Sequence, residues 1–496
     1  MKRLCQFILV MIFTLVLVGC GDFNQNQNCE HTFESGVCLK CGLEEEIPYE
    51  YNKTKFDGKN MQIIIYCNTS DTDPFNPIYY KTDVESKKQR VLDIEEAYNI
   101  DIVFQEYPSD AKWGYERFEW IKANSLKTNT SNHIYSLNSN WVKALAEANA
   151  IAELYDESTS TGILKELKVG INEYMKEYSK DSKIYGYEVE HTHANAFMHY
   201  NINLIEEYGL EDPAALWNEG RWTYTQFFNY IENAQIEFNK NETTKIYSMG
   251  GTFSDVTLGL ISGSGYKLID DERVLVQFVN SDIIDIYLDC KELFKNNQWS
   301  PDSVGSDNSL NFVEGKQLFQ TGEFWYFTSE MRYKNQVDFN IGVVPYPTSD
   351  DENQEYYVPT IGSMGYVFPN IENNENGLTT KVLVNIIDNL YHGFENESKE
   401  EYKDYLEEII TAPSKYKESS INAIMNIEEN FTSYRFFDYM SIVDHFLTST
   451  SDFTMDRGYR IWSLQILQSG DIEGFLSTKQ TEYQLVLDNI MGKIIK

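Results

Sequence analysis

Met61-Gln-Ile-Ile-Ile-Tyr-Cys67 runs into the polar loop Asn68-Thr-Ser-Asp-Thr-Asp-Pro74, and this pair of segments decides the fold. A short, almost wholly apolar run is what a strand covered on both faces of a parallel sheet requires. Outward from it, residues 84–98 carry Val91, Ile94, Ala97 and Tyr98 at helical spacing, and Ile100-Asp-Ile-Val-Phe104 forms a second strand. His133-Ile-Tyr-Ser-Leu137 supplies a third, after which residues 141–152 return to a helix. Strand and helix in alternation predict an α/β fold with a right-handed, doubly wound sheet. Open sheets of this kind place ligands beyond the carboxyl ends of their strands, which is where residues 68–74 fall.

The 496 residues leave room for about three units at roughly 150 residues each, fewer if lobes are built from discontinuous segments. Lys and Arg number 41 against 77 Asp and Glu, a net charge of −36 with no long basic run to offset it. Nucleic acid is thereby excluded as a partner, because its binding depends on cations that neutralise phosphates. The same charge repels anionic surfaces, so a polyanionic ligand is not expected. A hydrophobic share of 42%, with 35 Tyr and 28 Phe, is far too rich for a disordered acidic tail and supplies a large packed core.

At the N-terminus, Lys2 and Arg3 precede the apolar run from Phe7 to Val18, whose length suits a signal peptide rather than a spanning helix of about 20 residues. It ends in Leu17-Val18-Gly19-Cys20, followed by Gly21 and Asp22, a stretch that resembles the bacterial lipoprotein lipobox. The resemblance implies removal of residues 1–19 and attachment of diacylglycerol to Cys20, with residues 20–28 as anchor and tether. Several acyl chains would hold a water-exposed body on the outer face of the cell membrane. No later stretch approaches ~18 uncharged apolar residues, so membrane contact is expected through lipid alone.

Three further cysteines cluster with a histidine as Cys29-Glu-His31 and Cys38-Leu-Lys-Cys41-Gly42. Three thiols and an imidazole suit a tetrahedral metal, and Cys-x-x-Cys-Gly is a turn that aims two sulfurs at one ion. Residues 29–42 read as a zinc ribbon with Cys29, His31, Cys38 and Cys41 as ligands. A disulfide between two of the thiols is the other reading of the same cluster in an oxidising compartment. Four protein ligands close the coordination sphere, so zinc here is structural. Cys67 and Cys290 sit alone in apolar segments and read as buried small hydrophobes.

Residues 43–59 are acidic and polar with Pro48, a linker, and no internal repeat is evident. Beyond them several strings fall in a recognisable order. Ile100-Asp-Ile-Val-Phe104, Ile134-Tyr-Ser-Leu-Asn-Ser-Asn-Trp141 and residues 145–154 come first. Phe197-Met-His-Tyr-Asn201, Leu204 to Pro213 and Gly220-Arg-Trp-Thr-Tyr-Thr-Gln-Phe227 follow, then Phe312-Val-Glu-Gly-Lys316, Gly322-Glu-Phe-Trp-Tyr326 and Phe339 to Pro347. Taken together they resemble the extracellular solute-binding proteins of carbohydrate ABC importers, the maltose-binding-protein-like type, over residues 61 to about 370.

The resemblance implies a periplasmic-binding-protein-like clamp of two discontinuous lobes: residues 60–188 with 362–435, and residues 189–361 with 436–496. Crossings between lobes would fall near Gly186 to Glu190, Thr360 to Gly365 and Ser433 to Met440. A carbohydrate touching both lobes favours the closed state by its differential affinity, and closure is what membrane-embedded ABC permease subunits would sense. A monomer is expected.

A sugar offers an apolar C–H face and a rim of hydroxyls, so its site needs flat rings with fixed amides and carboxyls. Strand-end loops supply Asn68, Ser70 and Asp71, then Asn138, Asn140 and Trp141; the second lobe offers Trp325 and Tyr326; the second crossing adds Gly362 and Ser363. By resemblance, Trp325 holds the position of a stacking indole, whereas Trp217 and Trp222 read as core.

In Glu190-His191-Thr-His193, the two imidazoles at spacing two would face one side of a strand, with His199 nearby. This permits a metal-binding reading, set against a sugar-facing or hinge-packing role for His191 and His193. No enzyme is expected: His-Glu-x-x-His, Gly-x-Ser-x-Gly and the Walker motif are all missing from the sequence. A surface glycosidase, whose paired carboxylates have no sequence signature, is the alternative; a peptide-binding or metal-binding clamp, or a sensor built on the same fold, is a further one.

Overall fold

A computed structural model describes residues 33–34, 37–38, 56–79, 84–112, 114–138, 141–156, 158–166, 183–188, 194, 197–240, 243–270, 275–329, 332–358, 364–371, 377–391, 399–430 and 458–492. Residues 1–53 and 54–496 are two compact units. In the first, Phe33–Glu34 pairs antiparallel with Val37–Cys38, so that Phe33 lies opposite Cys38. Cys20, Cys29, His31 and Cys41 lie outside the described residues, as does the side chain of Cys38.

In the second unit the main elements run β1 (Met61–Tyr66), α1 (Val84–Tyr98), β2 (Ile100–Gln105), α2 (Gly114–Ser125) and β3 (His133–Asn138). After β4 (Phe197–Asn201) come α3 (Pro213–Asn218), α4 (Tyr224–Phe238), α5 (Phe253–Gly263) and α6 (Ser281–Lys295). Then follow β5 (Phe319–Gly322), α7 (Trp325–Thr328), β6 (Ile341–Val344) and β7 (Met364–Val367). The chain closes with α8 (Thr380–Tyr391), α9 (Lys399–Ile409), α10 (Ser414–Asn430), α11 (Tyr459–Gln468) and α12 (Ile472–Gly492).

One lobe is built on the sheet β7-β3-β1-β2. The strand at Met61–Tyr66 pairs in parallel with β2 along its whole length and with β3 on its other side, as its apolar run requires. Ile63 and Ile65 are fully buried, and α1 covers the sheet with Val91, Ile94 and Tyr98. The late strand β7 adds antiparallel to β3, with Met364 opposite Asn138 and Val367 opposite Tyr135.

The other lobe is centred on β4, flanked antiparallel by β5 and β6 and buried at all five residues. Its core is strongly aromatic. Trp222 is buried and donates through Nε1 to the Pro345 carbonyl at 3.1 Å, and Trp217 packs against Tyr356, so both are structural, as the sequence suggested. Cys67 and Cys290 are buried free thiols, also as expected.

Within the stretch expected as the first crossing, Tyr187 exchanges two backbone hydrogen bonds with Tyr366 in β7, at 2.8 and 2.7 Å. The Tyr187 hydroxyl donates to buried Asp388 on α8 at 2.9 Å, and α8 in turn packs against α1. Thus the backbone at Tyr187 is tied both to β7 and to a helix of the first lobe.

The expected lobe assignment of residues 362–435 is corrected downstream of α8. Helix α10 packs on α3 and β6, its Ser419 hydroxyl donating to Asp212 at 2.6 Å and its Ser420 hydroxyl accepting from the Val343 amide at 3.0 Å. Tyr402, Leu406 and Ile410, in α9 or just beyond it, join the same core as Phe197 and Val343. Residues 399–430 therefore belong with the second lobe, where α11 and α12 also pack. The expected crossing at Ser433 to Met440 lies outside the described residues, between helices that share one core.

Candidate functional site

In the first lobe, β1 ends at Tyr66 and, after Cys67, the chain turns through Asn68, Thr69, Ser70 and Asp71, all four partly exposed. Glu106, immediately after β2, accepts from both the backbone amide and the hydroxyl of Thr69, each at 2.7 Å. Asn68 accepts from Arg117 Nη2 at 3.2 Å. Arg117 reaches this point from α2 across the ring of Tyr107, with its guanidinium carbon 4.1 Å from the ring centroid. The Tyr107 hydroxyl is fixed by donation to the Ser136 carbonyl at 2.7 Å. Burial lowers the Arg117 pKa, while Tyr107 and the carboxylates of Glu106 and Asp71 oppose the shift.

The loop of Asn68, Ser70 and Asp71 thus stands where its sequence position implied, but Glu106, Tyr107 and Arg117 went unread. Glu106 and Tyr107 could have been found by the same strand-end rule applied to β2. Arg117 gives no such signal, because it lies in a helix and reaches back to the loop. Beside them Tyr66, Trp120, His133 and Tyr135 form an aromatic wall, with Tyr66 stacked on Tyr135 at 5.8 Å between centroids and 4.7 Å from Trp120.

Trp141, expected at the ligand, is 5% exposed and packs into the first lobe. It sits at the start of the helical turn that follows β3. Asn138 ends β3 opposite Met364, the residue after Ser363. The side chain of Asn138, and all of Asn140, His191, His193, Gly362 and Ser363, lie outside the described residues.

In the second lobe, β5 ends at Gly322, where a Cβ would stand 2.5 Å from the ring of His199, so only glycine lets β5 approach β4 this closely. The chain then turns into α7. Trp325 is half-buried, two residues after the carboxylate of Glu323. Tyr326 points inward instead, 4% exposed, in a cluster with Phe312, Tyr333 and Ile341, and this corrects its expected contact with ligand. Successive residues on a helical turn point about 100° apart, so one of the two rings had to face the core.

Around Trp325 lie groups that residue type alone did not single out. Arg332 stands over both rings, 5.0 Å from the Trp325 centroid and 5.0 Å from that of Tyr326. Its Nη2 donates to Asp307 at 2.9 Å and its Nη1 to Asn308 at 2.6 Å. Arg460 approaches the other oxygen of Asp307 at 3.6 Å. Burial pushes the Glu323 carboxyl up to about 7; the indole N–H opposes this, and the carboxylates of Asp255 and Asp307 add to it.

His199 is fully buried, with Nδ1 at 2.9 Å from the Tyr333 hydroxyl, and burial depresses its pKa to about 3. It is a neutral core imidazole. Among the described residues no group of three or more His, Cys, Asp or Glu is placed to hold a metal ion, and no helix is long and apolar enough to cross a membrane.

No protein-family model matches the sequence, and no curated protein matches it. Solved structures do. An ABC substrate-binding protein from Listeria monocytogenes in complex with cycloalternan is similar with a TM-score of 0.55 at 12% identity, over 87% of this chain and 99% of that one. A cyclic α-maltosyl-1,6-maltose binding protein from Arthrobacter globiformis gives 0.54 at 13%, over 87% and 100%. An ABC transporter solute binding protein from Thermotoga lettingae bound with α-D-tagatose gives 0.52 at 15%, over 86% and 100%. The chain has the two-lobed, periplasmic-binding-protein-like fold of these solute-binding proteins. Identities this low carry the fold and leave the ligand to be argued from the site.

Proposed function

We propose that this chain is an exported, lipid-anchored solute-binding protein that captures a sugar or oligosaccharide between its lobes and passes it unaltered to a membrane-embedded ABC permease. The observation that carries the reading is Trp325: a half-buried indole held against the guanidinium of Arg332, on a lobe of this clamp fold. A ring so held offers a flat apolar surface to the C–H face of a pyranose, with carboxylates and amides near enough to take its hydroxyls. Across the cleft, Asn68, Ser70, Asp71, Glu106 and Arg117 are the polar partners of the first lobe, and Asn138, Asn140, His191, His193, Gly362 and Ser363 complete the proposed set. The three solved structures named above have carbohydrate in their titles, which supports the same ligand class. The test is a thermal-shift screen of residues 54–496 against mono- and oligosaccharides, with peptides and divalent metals as controls. A ligand that binds only the folded form raises the melting temperature by mass action. Stabilisation by a saccharide alone is expected, and stabilisation only by a peptide or a metal would sink the reading.

Export and anchoring rest on the lipobox around Cys20, and a structural zinc on Cys29, His31, Cys38 and Cys41. Zinc would supply folding energy to residues 29–42 and no chemistry.

A further inference from the structure

We infer that Arg332 is a positioning residue for ligand stacking: it covers part of the Trp325 indole and holds the ring so that only the remaining surface is offered to a sugar. The inference rests on the carbohydrate reading above and adds to it the group that sets how the indole is presented.

A tryptophan at the start of a four-residue helical turn has two free side-chain torsions and little backbone around it to restrict them. One cationic contact restricts them here: the guanidinium carbon of Arg332 lies 5.0 Å from the ring centroid, over one face of the indole. Arg332 is itself immobilised, since one end of its fork donates to Asp307 and the other to Asn308, while its plane also covers Tyr326. Its side chain is 14% exposed, against 32% for Asp307. The buried cation is therefore paired, and it stacks rather than reaching outward.

A delocalised guanidinium does here what a single ammonium cannot, because its fork reaches two acceptors while the cation stays over the aromatic pair. The arrangement leaves the ligand only the indole surface that neither Arg332 nor Tyr326 occupies. It also spares binding the ordering cost of an aromatic side chain that would otherwise have to be immobilised when the sugar arrives.

The experiment uses the full chain labelled with 5-fluorotryptophan, the Trp325 fluorine resonance being assigned by its disappearance in Trp325→Phe. Arg332→Met and Arg332→Lys are compared with wild type in two measurements. Without ligand, both variants are expected to shift and broaden the Trp325 resonance while leaving those of buried Trp222 and Trp299 in place. In calorimetry with maltotriose and a cyclic tetraglucoside as probes, both are expected to weaken binding at least tenfold, the charge-conserving lysine as much as the methionine. An unmoved Trp325 resonance in both variants overturns the inference. A moved resonance with unchanged affinity also overturns it, since the ring's placement would then not matter to ligand. Weakened binding with an unmoved resonance makes Arg332 a direct contact and likewise refutes positioning. If wild type binds neither probe, the carbohydrate reading fails, while the resonance still decides whether Arg332 holds the ring. Should Arg332→Met fail to fold, Arg332→Lys carries both arms.

Discussion

Truncating Trp325 to alanine removes the surface on which the proposed ligand would stack, and the size of the effect follows from how much of the ring is left uncovered. An aromatic side chain covers roughly 150–250 Å² in all. Arg332, Tyr326 and the body of the lobe already take most of this from a half-buried indole, leaving on the order of 50 Å² to a ligand. A pyranose laid on that surface loses a similar area of its own, so about 100 Å² leaves water, and at about 25 cal/mol per Å² this amounts to about 2.5 kcal/mol. Trp325→Ala should therefore weaken saccharide binding about 70-fold, and Trp325→Phe by less, because a smaller flat ring remains. The assay is calorimetric titration of residues 54–496, with the melting temperature as a control for folding. Affinity within threefold of wild type, in a variant that melts normally, would remove Trp325 from the site and refute the stacking argument.

Four other outcomes are expected. Glu323 carries a carboxyl raised to about 7 from an ordinary 4.5. The folded state then holds more protons than the unfolded between those values, and its contribution to stability declines as pH rises through that window, by up to about 1.4 kcal/mol per pH unit; Glu323→Gln should flatten this part of a denaturation–pH profile, and an unchanged profile would count against the raised value. Lys291 donates to the Ile466 and Ser469 carbonyls at the end of α11, so Lys291→Met should cost about 1–3 kcal/mol in urea denaturation by leaving those acceptors unmet. Tyr187→Phe breaks the bond to Asp388 that ties the first crossing to α8; a loss of about 1–3 kcal/mol is expected by the same assay, and no loss would mean that the crossing is held by its backbone pairing with Tyr366 alone. Cys38→Ser should abolish stoichiometric zinc in elemental analysis while leaving saccharide affinity unchanged, whereas loss of both would mean that residues 29–42 are not an independent module.

What could be read from the sequence was whatever a local pattern determines. The run at Met61–Tyr66 is covered on both faces and so advertises a parallel strand. The spacing of Val91, Ile94 and Tyr98 marks the helix that covers it. Residues 399–430 were misassigned because an amphipathic helix shows that it has an apolar face without showing which of two cores receives it. Residue type and strand-end position pointed to Asn68, Asp71 and Trp325, which are partly exposed at the ends of their elements. The same reasoning does not tell an outward ring from an inward one, and Trp141 and Tyr326 are buried. Glu106 and Arg117 were missed because each acts through a partner more than 30 residues away, Thr69 and Asn68 in turn, whereas Arg332 lies only seven positions from Trp325 but on a turn whose geometry no local pattern marks.

The claim that bears most weight is mechanical: two lobes that close on a carbohydrate. Small-angle X-ray scattering through a saccharide titration measures it directly. The account predicts a radius of gyration that falls saturably as ligand is added and recovers when ligand is dialysed away intact. Scattering curves that superimpose from zero to saturating saccharide, at concentrations where calorimetry registers binding, would contradict it.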